Sequence, residues 1–207
     1  MKDFKIAVVI LGRPGSGKDT QADLLAKKFG LIHIISSRLI ERALKSRAKG
    51  IKLEGKVYNL ARERRLQESG LLNTPAFVSS LVKSEIKAAA ARGRGLVMSG
   101  SPRTLAEYKA EWPLLEKLYG KNLHAFDVAI GQKEVYKRNL KRRRKDLPEL
   151  DTEKIIKKRL AVFTKQTWPV IKLLKSKKLI ADIDGERPIK TIHQDILCRL
   201  QSKQKKK

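Results

Sequence analysis

A chain of 207 residues with 41% hydrophobic content is long enough for one domain built round one sizeable core. A single cysteine, Cys198, excludes an internal disulfide and a cysteine-rich zinc site, and His33, His124 and His193 are too scattered to suggest metal ligands. Lys and Arg number 48 against 21 Asp and Glu, and the resulting +27 attracts polyanions, unless it reflects a salty cell interior or crowding by ribosomes.

No apolar run approaches the roughly 20 residues that cross a bilayer. Residues 6–11 follow a lysine-flanked start and resemble a weak signal peptide. They run straight into a glycine-rich loop rather than a cleavage site, however, so a buried parallel strand over 5–11 is the better reading, with the cytoplasm as compartment. After Lys18 the spacing of Ala22, Leu25, Ala26 and Phe29 predicts a helix that Gly30 ends. A strand over 31–35 follows, and Ser36-Ser37 offers a cap for a helix to about Ala48, broken by Lys49-Gly50.

Residues 56–69 read as an exposed, highly charged helix. Pro75 starts another, with Phe77, Leu81, Val82 and Ile86 facing inward. Gly93-Arg94-Gly95 turns into a strand at 96–98, the polar loop 99–104 comes next, then a helix over 105–119 and a strand over 123–129. A basic helix over 133–145 precedes a long helix over 151–174 that Pro169 must kink or divide. A strand over 179–183, a helix over 189–200 and a disordered basic tail, 201–207, complete the chain. This alternation predicts an α/β fold, an open parallel sheet covered on both faces.

The chemistry concentrates in Gly12-Arg13-Pro14-Gly15-Ser16-Gly17-Lys18. A glycine-rich turn between strand and helix aims consecutive backbone N–H groups at one point, the helix N-terminus adds its dipole, and Lys18 reaches the outer phosphates of a nucleotide. A turn that merely packs would not call for Lys18. The residue after the lysine, usually Ser or Thr, is Asp19, with a hydroxyl one position later at Thr20. A carboxylate there can approach Mg2+ or repel phosphate.

Gly-x-Pro-Gly-Ser-Gly-Lys-x-Thr-Gln at 12–21 resembles the opening of adenylate kinases and related nucleoside monophosphate kinases. The likeness continues through Phe29-Gly30-Leu31-Ile32-His33-Ile34, Gly100-Ser101-Pro102-Arg103-Thr104, Ile156-x-x-Arg159-Leu160, Thr167-x-Pro169 and Ile183-Asp184-Gly185. The resemblance implies a single P-loop kinase domain over 1–207: a three-layer α/β/α fold with a central parallel sheet, a helical acceptor-binding arm at 36–72 and a short lid at 143–151. It implies a monomer that transfers phosphate from ATP with Mg2+ to a nucleoside monophosphate, AMP first.

By the same resemblance Gly12, Pro14, Gly15, Ser16, Gly17, Lys18, Asp19, Thr20 and Arg138 hold the donor. Arg103, Arg142 and Arg159 join Lys18 in stabilising the transfer, and Ser36, Arg42, Gly100, Arg103 and Glu107 bind the acceptor. Fixed guanidinium groups suit phosphoryl transfer, which depends on positioning and charge rather than a covalent nucleophile. For Arg138 and Arg142 a solvated basic face is the competing reading.

The chain departs from the family at Ser36-Ser37-Arg38, where Thr-Gly-Asp is usual. It departs again at Glu41, in place of a phosphate-binding arginine, and at Ser99, in place of an aspartate that organises magnesium water. Glu107 stands in place of the glutamine that reads adenine, and Pro148 in place of a lid arginine, with Arg143 and Arg144 nearby. The expectation that follows is that Asp19 compensates for Ser99 near the metal. The alternative from a different class is a nucleotide-binding accessory protein, weak or inactive as a kinase, that attaches to RNA or ribosomes through its basic surface. A kinase of another small substrate is the third reading.

Overall fold

The computed structural model describes residues 5–46, 48–142 and 152–202. β1 (Ala7–Leu11) is buried along its whole length, as a strand with sheet neighbours on both sides and helices on both faces must be. Its side chains alternate between two cores. Val8 and Ile10 pack with Ala22, Leu25, Ile192 and Ile196, while Ala7, Val9 and Leu11 pack with Phe77, Val82, Ile86, Trp112, Leu115 and Leu174.

After the loop, α1 (Lys18–Phe29) ends at Gly30 in the left-handed conformation. β2 (Ile32–Ile35) leads into α2 (Ser36–Leu44), four residues shorter than the sequence suggests. Ser36 does not cap this helix: the cap position is Ile35, without a side-chain bond, and the Ser36 hydroxyl reaches instead to the Gly100 carbonyl at 2.7 Å.

The helix expected over 56–69 is only partly present. β3 (Gly50–Leu53) and β4 (Lys56–Asn59) form an antiparallel hairpin, and α3 (Leu60–Glu68) begins after it, capped by Asn59. The hairpin turn places Glu54 and Gly55 at positive φ, 47° and 80°. Glu54 holds that conformation with ion pairs to Lys83 (2.5 Å) and Lys87 (3.3 Å) of the helix that starts at Pro75, and the Tyr58 ring tilts against Phe77. The expectation that α3 is simply exposed also needs correction. Glu63 is 2% exposed and accepts bonds from Asn73 Nδ2 (3.0 Å) and from the Thr74 backbone N–H (2.9 Å) and hydroxyl (2.5 Å).

α4 (Pro75–Ala91), β5 (Leu96–Ser99), α5 (Leu105–Tyr119) and β6 (Leu123–Ala129) follow, with a 3-10 turn at Gly120–Asn122. α6 (Gln132–Arg142) packs on α7 (Glu153–Val162) through Val135, Ile156 and Leu160. A π-helical stretch, Phe163–Thr167, joins α7 to α8 (Trp168–Ser176), so Pro169 is accommodated by a widened turn rather than a break. β7 (Ala181–Asp184) starts two residues later than read, and α9 (Ile189–Ser202) runs two residues into the expected tail. The lid, 143–151, and residues 203–207 lie outside the described residues.

The five long-range strands are all parallel, in the order β2-β5-β1-β6-β7. The chain moves to one side of β1 for β2 and β5 and to the other for β6 and β7. The crevice at the carboxyl end of β1 is therefore the topological switch point, where an open α/β sheet binds ligands. The glycine loop sits there. Among the described residues no helix is long and apolar enough to cross a membrane.

Candidate functional site

The loop after β1 is held by neighbours on every side. A Cβ on Gly12 (φ 148°) would come within 2.5 Å of the Val128 carbonyl, and one on Gly15 (φ 80°) would strike the Asn139 amide. Glycine is thus required for close approach as well as for backbone angle. Arg13 Nη1 donates to the Ile130 carbonyl at 2.6 Å, and Asn139 Nδ2 donates to the Pro14 carbonyl at 3.3 Å. Asn139, on α6 and 1% exposed, was not foreseen; its place one residue after Arg138 on a helix facing the loop is the signal that could have found it. Ser16 is fully buried beneath the loop, and Lys18 opens α1.

Asp19 connects the loop to the next strand. Burial by itself would raise its pKa, yet the Lys18 ammonium, the Ser99 hydroxyl, the Arg103 guanidinium and His33 together hold it below the ordinary carboxylate value. Ser99 ends β5 and is hydrogen-bonded to His33 Nε2 at 3.1 Å, while His33 Nδ1 meets Asp23 of α1 at 2.8 Å. β2 and β5 pair with Ile34 opposite Met98, which brings the strand ends together and makes this contact possible. Thr20 faces outward on α1 beside Asp23, Leu24 and Lys27.

A second cluster forms on the β5–α5 loop. The Gly100 carbonyl accepts from Ser36 Oγ (2.7 Å) and Arg103 Nε (2.6 Å), so Ser36, Gly100 and Arg103 converge. Thr104 caps α5 by accepting from the Glu107 N–H (3.1 Å), and the Glu107 carboxylate reaches back to the Arg103 N–H at 2.6 Å. The arrangement resembles a capping box, shifted so that Glu107 bonds the N–H one residue before the cap, and both side chains satisfy backbone donors at the helix start. Glu107 is 1% exposed, turned into the cluster.

One turn further along α5, Glu111 is fully buried and unforeseen. Ser101 Oγ lies 3.2 Å from Glu107 Oε2 and 2.9 and 2.8 Å from the two Glu111 oxygens, and Ser79 Oγ donates to Glu111 at 3.0 Å. Burial raises the pKa of both carboxyls. For Glu111 burial, and then the charge of Glu107, push it up to about 8, against the Ser101 and Ser79 hydroxyls and Lys83. The i, i+4 spacing of two glutamates among Tyr108, Trp112 and Leu115 was the available signal.

A carboxyl whose pKa is higher in the folded than in the unfolded chain contributes its full stability below about pH 4.5. It loses that contribution as pH rises toward about 8. Glu111→Gln, which keeps a neutral side chain at every pH, is therefore more stable than the parent at alkaline pH. Denaturant titrations are expected to give a small difference at pH 5, widening to on the order of 4 kcal/mol by pH 8. A difference that stays flat over this range would show that Glu111 is ionised in the fold.

The remaining predicted residues are dispersed. Arg42 is exposed and paired with Glu85 of α4 at 2.7 Å, and Arg38 and Glu41 are exposed on α2. Arg138 is half-buried, held by Glu134 at 2.7 Å, with Nη1 3.5 Å from the Ser16 carbonyl. Arg159 is half-buried on α7, whereas the Arg142 side chain lies outside the described residues, although its backbone ends α6. Lys158 Nζ donates to the Ser69 carbonyl and thus ties α7 to the end of α3.

A family model described as adenylate kinase matches residues 10–179. The chain is 28% identical to an adenylate kinase of Prochlorococcus marinus (strain MIT 9301) over 93% of its own length and 97% of the relative's. It is 27% identical to an adenylate kinase of Leptospira biflexa serovar Patoc (strain Patoc 1 / Ames) over 92% and 97%. With one from Thermobifida fusca (strain YX) the identity is 29% over 95% and 98%.

Proposed function

The chain belongs to the adenylate kinase family and is a kinase of the nucleoside monophosphate type, and on that premise we propose that it transfers phosphate from ATP to AMP in the cytoplasm. The observation that carries this reading is the electrostatic neighbourhood of Asp19. Its carboxylate feels the charges of both Lys18 of the glycine loop and Arg103 of the Ser36–Gly100 cluster, which supports a donor-side and an acceptor-side cation acting on one site.

In this reading the loop backbone and Lys18 hold the β- and γ-phosphates, with Arg138 alongside. Arg103, kept in place by the Gly100 carbonyl, grips the acceptor's phosphate so that its oxygen stands in line with the transferring group. Arg142 and Arg159 stabilise the charge that spreads over that group. Ser36, Gly100 and Glu107 face the acceptor base. Lid 143–151 and arm 36–72 close to exclude water, because an open site would hydrolyse ATP. Arg42, paired with Glu85, has to leave that partner to join the site.

Asp19 fits a magnesium ion. It is a hard oxygen donor kept ionised at the mouth of the loop, and Mg2+ is usually held by one or two carboxylates together with phosphate oxygens and water. Among the described residues no cluster of three or more acidic, His or Cys side chains offers a separate cage. When bound, the ion would neutralise charge on the phosphates.

A coupled assay of ADP production with AMP, CMP, UMP, GMP and dAMP tests this. AMP is expected to exceed both pyrimidine nucleotides by at least about tenfold in kcat/KM. Absence of turnover with all five, alongside tight salt-sensitive RNA binding, would replace the kinase reading with that of an RNA-attached nucleotide-binding protein.

A further inference from the structure

Glu107 and Glu111 are two buried carboxyls that converge on one hydroxyl. Ser101 Oγ stands 3.2 Å from Glu107 Oε2 and 2.8 Å from Glu111 Oε2. Two like charges this close and this buried do not both ionise at neutral pH, so the pair keeps one proton between them. The surroundings decide where it rests. Glu107 accepts the Arg103 N–H and faces the Arg103 guanidinium, which favours its charged form. Glu111 meets only the Ser79 and Ser101 hydroxyls, with Lys83 of α4 further off. In the empty site the proton therefore sits on Glu111.

The acceptor base can change this. An ionised carboxylate offers two acceptors and complements the N1–H and N2–H2 donors of guanine. A protonated carboxyl offers one donor and one acceptor and complements N1 and N6–H2 of adenine. Resting on the reading that Glu107 faces the acceptor base, we infer that Glu111 is a proton reservoir for Glu107, which lets the acceptor site take either purine monophosphate. With AMP the Glu111 proton passes to Ser101 Oγ as the Ser101 hydroxyl proton passes to Glu107. Ser101 is regenerated, Glu111 is left as the carboxylate, and no proton enters or leaves the pair. With GMP the proton stays on Glu111. A glutamine at 107 has no such freedom, since it always presents one donor and one acceptor and never the two acceptors that N1–H and N2–H2 of guanine require.

The test is the ratio of kcat/KM for AMP to that for GMP in three proteins, from pH 6 to pH 9. In the parent the two substrates are expected within about tenfold of each other at pH 7.5, with the ratio falling as pH rises. Glu107→Gln raises the ratio at least about thirtyfold and makes it independent of pH. Glu111→Gln leaves Glu107 without its proton source, so the ratio falls at least about tenfold at pH 7.5 and recovers toward acid pH. This last variant is expected to gain stability, so a change in its ratio is not a folding defect. A parent that uses GMP more than about a thousandfold worse than AMP, or a Glu111→Gln protein with the parent's ratio, overturns the inference while leaving the kinase reading intact. Absence of turnover with every monophosphate would instead strike the kinase reading itself.

Discussion

Lys18→Ala is expected to lower kcat by about a thousandfold or more while weakening ATP binding far less. The loop that surrounds Lys18 has anchors of its own. Gly12 and Gly15 are shaped by the Val128 carbonyl and the Asn139 amide, Arg13 is anchored on Ile130 and Pro14 on Asn139, so the backbone N–H groups stay aimed at the switch point. What is lost is a positive charge at the first residue of α1, where charge on the outer phosphates grows during transfer. About 4 kcal/mol of transition-state stabilisation corresponds to about a thousandfold in rate. Fluorescent-ATP titration and single-turnover kinetics separate the two effects. A large loss in ATP binding with kcat unchanged would mean that Lys18 acts on the ground state only. Lys18→Arg is not expected to rescue, because a planar fork is larger than an ammonium and carries its charge elsewhere.

How much of this was legible in the sequence depended on how local the cause was. The first strand, the loop and α1 could be read because apolar run, glycines and helical spacing occupy 25 consecutive residues, 5–29. β6 was placed to the residue because 123–129 is bounded on both sides by breaks. The β3–β4 hairpin was missed because its turn carries Glu54-Gly55, a weaker signal than Asn-Gly or Asp-Gly. What holds Glu54 at positive φ are lysines on α4, at 83 and 87, which no local pattern announces. Glu63 looked like one charge in an exposed run, yet Asn73 and Thr74, ten and eleven residues on, bury it.

The site divides in the same way. Gly100 and Arg103 are three residues apart, and their contact is local. The Asp23–His33–Ser99 chain needs β2 beside β5, a pairing across more than 60 residues that only the completed sheet provides. Arg42 shows the limit of motif position. The motif assigns it to the acceptor, while the fold adds a partner that no local pattern announces, Glu85, 43 residues on. Basic residues are so numerous in this chain that sequence proximity to a motif says little about which carboxylate each one meets.

Asp19→Ala is expected to reduce kcat about a hundredfold and to raise the Mg2+ concentration needed for half-maximal rate. The position explains the size. A half-buried carboxylate stays ionised only where its surroundings favour the charge, and here Lys18, Ser99, Arg103 and His33 outweigh the burial. Removing it takes away a negative charge that both the Lys18 and the Arg103 charges favour. It also removes the one carboxylate among the described residues that stands at the loop beside Ser99, where the family places its own acid.

A second variant tests whether the acid has moved from one element to the other. If Asp19 does the work of the missing aspartate, then Asp19→Ala combined with Ser99→Asp returns a carboxylate to the same space from the β5 side. The double variant is expected to recover at least about tenfold over Asp19→Ala alone, with the Mg2+ requirement shifting back toward the parent's. Ser99→Asp by itself puts two carboxylates beside one another against His33, and the like-charge pairing lowers activity instead of adding to it. An Asp19→Ala protein with the parent's rate and Mg2+ dependence would show that the phosphate loop works without this residue. A double variant no better than the single would show that the position of the carboxylate on α1, rather than its presence, is what the reaction uses.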